Sequence, residues 1–225
     1  MNEPTRKTLT VTLGYQAFLA LLIFASAGTI RYWQGWVYWS LLGVTSVATA
    51  LYFTRTDPAL VERRLKIGPT AEPRPIQRWI QTVTSLSLLA LYIVAGLDRR
   101  FGWSTMPAAM VWVGNALVAG SNLAIFLVLR ANSYAAATIR VEPGQPVVST
   151  GPYAIVRHPM YAAAAITFLG TPLAMGSYRA LWPAVLVVAA MMVRLLDEEK
   201  VLSAELPGYD EYRRKVRWRM LPFVW

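Results

Sequence analysis

Apolar positions along this chain gather into long uninterrupted runs rather than alternating with polar ones. Charge-free stretches cover residues 8–30 (23 residues), 32–54 (23), 79–97 (19), 101–129 (29) and 159–178 (20). A spanning helix needs about 20 such residues. A sixth run, 180–193, holds only 14. The pattern predicts an all-α integral membrane protein, a bundle of five to six transmembrane helices. The first run is longer than the apolar region of a cleaved signal and is followed directly by a second span, so it reads as a retained helix.

Between the runs lie two longer polar segments. Residues 54–78 carry Asp57, Glu62, Arg63, Arg64 and Lys66 before Pro69, Pro73 and Pro75, which predicts a short surface helix and then an irregular bend. Residues 130–158 hold Asn132, Ser133, Thr138, Glu142, Gly144, Gln145 and Ser149. This segment is too long for a tight hairpin. It divides the chain into 1–130, four helices and a loop, and 131–225, a region with candidate chemistry.

Composition narrows the class. The chain has 225 residues, 56% apolar and 15% charged, with nine Trp and no Cys. These values exclude a soluble enzyme, a disordered chain and a disulfide-built domain. Trp33, Trp36 and Trp39, with Trp79, Trp103 and Trp182, fall near run ends, as an interfacial aromatic belt would. The net charge of +10 is distributed by side: with six spans, 18 of the 22 Lys and Arg fall on the face bearing both termini and the long loops, and 4 on the other. By the positive-inside rule, the termini and both polar loops are expected in the cytoplasm, and nucleic acid is not an expected partner.

Two clusters carry chemistry. His158, the single histidine, precedes Pro159, a residue suited to the first position of a helix. Arg157 and His158 are thereby expected at a helix mouth, where free N–H groups favour a polar or anionic ligand, with Tyr161 on the same face. Arg194, Asp197, Glu198 and Glu199 end the sixth run, where ionisable groups need a partner, water or ligand. Arg194 and Glu198 are spaced for an i,i+4 pair. The short connection between the last two runs makes them antiparallel neighbours, which brings both clusters together. No dinucleotide or P-loop glycine motif is present, and one histidine without cysteines argues against a metal site.

The stretch Gly151-Pro-Tyr-Ala-Ile-Val-Arg-His-Pro-Met-Tyr161, then Glu198-Glu199, Tyr209-Asp-Glu-Tyr212 and Leu221-Pro222, resembles the isoprenylcysteine carboxyl methyltransferase family and its phospholipid methyltransferase relatives over residues 132–225. The resemblance implies a cytoplasmic C-terminal pocket for S-adenosylmethionine, open to the bilayer for a lipophilic acceptor. Carried over by position, it implies cofactor contacts from Gln145, Pro146, Val147, Val148, Tyr153, Arg157, His158, Pro159, Met160, Tyr161, Glu198 and Glu199, with Arg194 facing the acceptor. Gln145 stands where eukaryotic members have a histidine. Leu206-Pro-Gly-Tyr209 fits the family pattern only with a length shift, which leaves the register of Glu198 against Glu199 open. A carboxylate acceptor needs only Arg194 to orient it, whereas a thiol or amine would give its proton to His158 or a glutamate. Prenylcysteine, a phospholipid and a small hydrophobic metabolite all remain as acceptors. The alternatives are a membrane reductase of the sterol or enone type using NADPH, and a non-enzymatic bundle or small transporter, which mid-span polar or ionisable residues would mark.

Overall fold

The structure, a computed structural model, describes residues 3–65 and 67–225, so Lys66 lies outside the described residues. Its regular elements are all helical: α1 (Glu3–Ala27), α2 (Trp33–Thr56), α3 (Pro58–Leu65), α4 (Pro75–Phe101), α5 (Ala108–Ala131), α6 (Pro159–Ala174), α7 (Leu181–Glu205) and α8 (Tyr209–Lys215), with 3-10 turns at Pro69–Ala71 and Gly151–Ala154.

Four helices, α1, α2, α4 and α5, are long and apolar enough to cross a membrane. Their outward positions are large and apolar, such as Leu21, Val44, Leu86 and Leu123, which is the arrangement of a bundle solvated by lipid. The last two runs form the hairpin α6–α7. At 16 residues α6 is roughly 24 Å long, short of the roughly 30 Å hydrocarbon layer. The α7 helix continues well beyond its apolar run, carrying Arg194 to Glu199 on helical geometry. The 29-residue run is broken at Gly102, whose φ of 65° caps α4, and at Pro107, which precedes α5. Absence of charge had hidden that turn. The surface helix expected before the proline bend is α3.

The packed core sits at one end of the bundle. There Leu19, Ile23, Tyr32, Tyr38, Leu91, Ala95, Met175 and Ala184 are buried together. Its buried tyrosine hydroxyls are paired, as burial requires. The Tyr32 hydroxyl donates to the Met175 carbonyl at 2.6 Å, and the Tyr38 hydroxyl lies 3.0 Å from that of Tyr92 and 3.1 Å from Thr171 Oγ1. Asp98, buried at the end of α4, accepts from Ser104 at 2.6 Å and from Ser177 in the α6–α7 turn. The hairpin is thereby tied to α4.

Helices α5 and α6 approach most closely through glycine. A Cβ on Gly114 would strike the Ala174 amide nitrogen and come within 2.7 Å of the Leu173 carbonyl carbon. Gly120, on the same helix, has nothing within 4 Å. We expect Gly114→Ala to destabilise the protein by about 1–3 kcal/mol, the range for overpacking, with Gly120→Ala nearly neutral. Thermal unfolding of the two variants in one detergent checks this; equal melting temperatures would contradict the close approach.

Candidate functional site

At the opposite end of the bundle, the start of α6, the end of α7, the segment 132–148 and α8 enclose a cavity of about 350 Å³. Gln145, Pro146, Val147, Val148, Tyr153, Arg157, His158, Pro159, Met160, Tyr161, Arg194 and Glu198 all line it. The hairpin geometry thus brings the two sequence clusters into one site. Glu199 is not among the lining residues.

Glu199 instead holds the site's frame. Its Oε1 receives Arg157 Nη2 at 2.7 Å and Nε at 2.8 Å and lies 3.3 Å from His158 Nε2, while Oε2 receives Arg219 Nε at 2.8 Å. Arg157 spends its remaining Nη1 on the Val216 and Arg217 carbonyls, at 2.9 and 2.7 Å. The Arg157 and His158 amides donate to the Trp218 and Arg219 carbonyls, both at 2.8 Å. One carboxylate therefore joins α7, the α6 mouth and the C-terminal tail. Burial raises its pKa, but the hydrogen bonds from His158, Arg219 and Arg157 outweigh that and hold it at about 2.

Glu198, one residue earlier, is turned by about 100° and accepts the Tyr161 hydroxyl at 2.5 Å. Asp197 points a third way, to Arg74 at 3.1 Å and Gln77 at 2.5 Å. Arg194 does not form the i,i+4 pair expected with Glu198. Its Nη2 pairs with Glu72 Oε1 at 2.5 Å and donates to the Ala137 carbonyl at 2.9 Å, and Nη1 donates to Gln77 at 2.9 Å. Glu72 is 1% exposed, so a charge brought in from the proline-rich bend out-competes a helix neighbour that can reach other partners.

Sequence reasoning missed Glu72 and Gln77, together with Arg64, Gln81 and Thr84, which line the cavity from the N-terminal half. Glu72 also accepts the Ile139 amide at 3.3 Å, which fixes the far wall. An acidic residue among prolines carried no signal of burial.

Segment 132–148 folds around its own side chains. Asn132 Oδ1 accepts the Tyr134 amide at 2.9 Å, and Gln145 Oε1 accepts the Glu142 amide at 3.1 Å across a turn where Gly144 has φ 74°. The amides of Thr138, Arg140, Val147 and Val148, all on the cavity wall, have no partner among the described residues. Unpaired main-chain donors, one half-buried carboxylate and tyrosines suit a ligand rich in hydroxyls, ring nitrogens and a carboxylate. Among the described residues no cluster of His, Cys, Asp or Glu could hold a metal ion.

Residues 109–206 match the family model for phospholipid methyltransferase. No curated protein matches the sequence. Among solved structures, the chain is similar to the eukaryotic intramembrane Ras methyltransferase, isoprenylcysteine carboxyl methyltransferase, determined without a monobody. The TM-score is 0.52 at 13% identity, over 100% of this chain and 88% of that one. At this identity the likeness is one of fold.

Because the folded pKa of Glu199 lies below its ordinary value of 4.5, its contribution is present above that value and is lost as pH falls towards about 2. Glu199→Gln should cost about 3 kcal/mol or more near neutrality, since it leaves Arg157 buried without its counter-charge. The difference in melting temperature between wild type and variant should shrink as pH falls from about 5 towards about 2. A difference that stays constant over that range would show that Glu199 is not the titrating clamp.

Proposed function

We propose that this chain, whose residues 109–206 match the family model for phospholipid methyltransferase, uses S-adenosylmethionine to methylate a lipophilic acceptor at the cavity between α6 and α7. It is an integral membrane methyltransferase. Neither the family match nor the fold supports the nicotinamide-dependent reductase.

The observation that carries the cofactor reading is Glu198, the single carboxylate lining the cavity among the described residues, together with the unpaired amides on the same cavity's wall. Glu198 can accept from ribose hydroxyls or an ammonium, and Tyr161 fixes its orientation. Gln145 to Val148, Tyr153 and His158 to Met160 supply the surrounding walls. Glu199 and Arg157, committed to each other, act as positioning residues. When bound, S-adenosylmethionine supplies a methyl group already activated on a sulfonium, so the chain's task is alignment at about 3 to 3.5 Å rather than bond activation. Arg194, fixed by Glu72 and Gln77, keeps a positive charge beside the apolar residues Ala164, Phe168 and Met191, where an acceptor's polar end would meet the methyl. A carboxylate acceptor can be oriented there without a base. An amine or thiol proton would pass to His158 or Glu198.

The expected test result is that purified protein binds S-adenosylhomocysteine, and not NADPH, in calorimetry. Glu198→Gln should weaken that binding about tenfold, or about 1.4 kcal/mol, more than Glu199→Gln measured below its melting temperature. NADPH binding, or a larger loss in Glu199→Gln, would overturn the assignment. We also place this cavity and both termini in the cytoplasm, on the 18-to-4 division of basic residues. The chain has no cysteine, so Ser149→Cys offers one label site. An impermeant maleimide should label it in inverted vesicles and not in intact cells; the reverse would invert the topology.

A further inference from the structure

The lipid-facing side of α7 leads directly to the C-terminal tail. Val185, Met192, Val193 and Leu196 form an outward apolar strip on this helix. Glu199 lies seven residues beyond Met192, two turns along the same face, so a group bound to Glu199 sits next below that strip. The tail supplies such a group in Arg219, at 2.8 Å, which opens the loop 219–225. The segment ahead of α6 runs alongside, since the Arg157 and His158 amides donate to the Trp218 and Arg219 carbonyls. Two residues before that contact, Ile155 is exposed.

The loop is closed on itself. The Trp225 main-chain oxygen accepts the amides of Arg219, Met220 and Leu221 at 2.9, 3.1 and 3.2 Å, and the Val224 and Trp225 amides donate to the Leu221 carbonyl at 3.2 and 3.1 Å. The Arg219 guanidinium lies 5.2 Å from the centre of the Trp225 ring, and the Trp218 and Phe223 rings are 5.7 Å apart. This closure holds Phe223 at φ 65°, the only non-glycine residue with positive φ among the described residues. A bulky side chain is costly there and persists only where its surroundings over-determine it. The result is a projecting apolar tip, with Phe223 86% exposed, Val224 74% and Leu221 52%.

Cations surround the tip. Arg213, Arg214 and Lys215 end α8 and Arg217 follows, all exposed. Asp210 and Glu211 take Arg213 at 3.5 Å and Lys215 at 2.8 Å, which leaves Arg214 and Arg217 without a carboxylate among the described residues. An apolar, aromatic tip ringed by Lys and Arg has the composition of a segment that lies at the boundary between lipid headgroups and acyl chains.

We infer that the loop 219–225 inserts Leu221, Phe223 and Val224 into the headgroup–acyl boundary of the leaflet on the cavity side, with Arg213, Arg214, Lys215 and Arg217 against anionic headgroups. The bilayer is the partner because the tip continues a face of α7 that lipid already covers, and because free cations complement an anionic surface. The surface is independent of the methyl-transfer reading. Its consequence for the cavity is mechanical: Arg219 and Arg157 share Glu199, so the seating of the tip in the membrane also seats the α6 mouth.

Spin labelling tests this, since the chain has no cysteine of its own. Leu221→Cys and Val224→Cys alter exposed side chains, and Glu211→Cys on α8 serves as a reference in water. In nanodiscs of phosphatidylcholine and phosphatidylglycerol, power saturation should give an oxygen-to-nickel-chelate accessibility ratio at 221 and 224 about threefold or more above that at 211. Equal ratios would overturn the insertion. Low accessibility to both reagents would show a protein partner, a second copy included, and would overturn it too. Phe223→Gly suits the backbone at φ 65° and removes the ring, so the ratio at 224 should fall; an unchanged ratio would overturn the anchoring role of Phe223. Omitting phosphatidylglycerol, or replacing Arg213, Arg214, Lys215 and Arg217 together by Gln, should each lower the ratio at 224, and the lipid dependence should vanish in the Gln variant. A ratio indifferent to both would overturn the role of the cations.

Discussion

The carboxylate of Glu199 is the contact on which the architecture of the cavity end depends. The tail after α7 leaves Leu221, Phe223 and Val224 exposed, and its one helix, α8, is seven residues long, too short to be stable by itself. What holds it is ionic and main-chain bonding: Arg219 and Arg157 meet on one buried carboxylate, and the Arg157 and His158 amides donate to the Trp218 and Arg219 carbonyls. Tyr209 and Tyr212 then pack against Val147 and Tyr153 to close the cavity wall. A buried pair of this kind contributes less to net stability than its Coulomb energy implies, but removing one partner is costly. It therefore defines where the tail can sit more than how strongly the protein folds.

Three successive acidic residues on α7 divide the labour because a helix turns each by about 100°. Asp197 faces α4, Glu198 the cavity and Glu199 the tail. A single helix end thus fixes α4, the cavity wall and the C-terminal tail. The cost is three carboxylates beside an apolar helix, each offset by a specific cation or hydroxyl. Rotation of α7 by one residue would misplace all three, so their register is set cooperatively.

Much of this was legible in the sequence because it rests on local rules. Long charge-free runs, Pro159 at a helix start and the short hairpin connection located the helices and brought His158 near Glu198. The turn at residues 102–107 was not legible, since a loop without charges reads as membrane. Nor was the partner of Arg194. Spacing offered Glu198, but Glu72 comes from more than a hundred residues away through an irregular bend, and no periodicity encodes that contact. The same holds for Arg64 and Gln77. Helix positions follow from composition, whereas the ionic wiring between helices and loops follows from tertiary proximity.

The bundle is also uneven from end to end. Around Tyr32, Tyr38 and Met175 it is filled and cross-bonded, whereas the end bearing α3 and α8 contains two voids of about 300 and 350 Å³. Local stability follows packing, so the filled end should behave as the rigid grip of a pair of tongs and the hollow end as its jaws. Small rotations about the grip would widen the hollow end while every spanning helix stays intact.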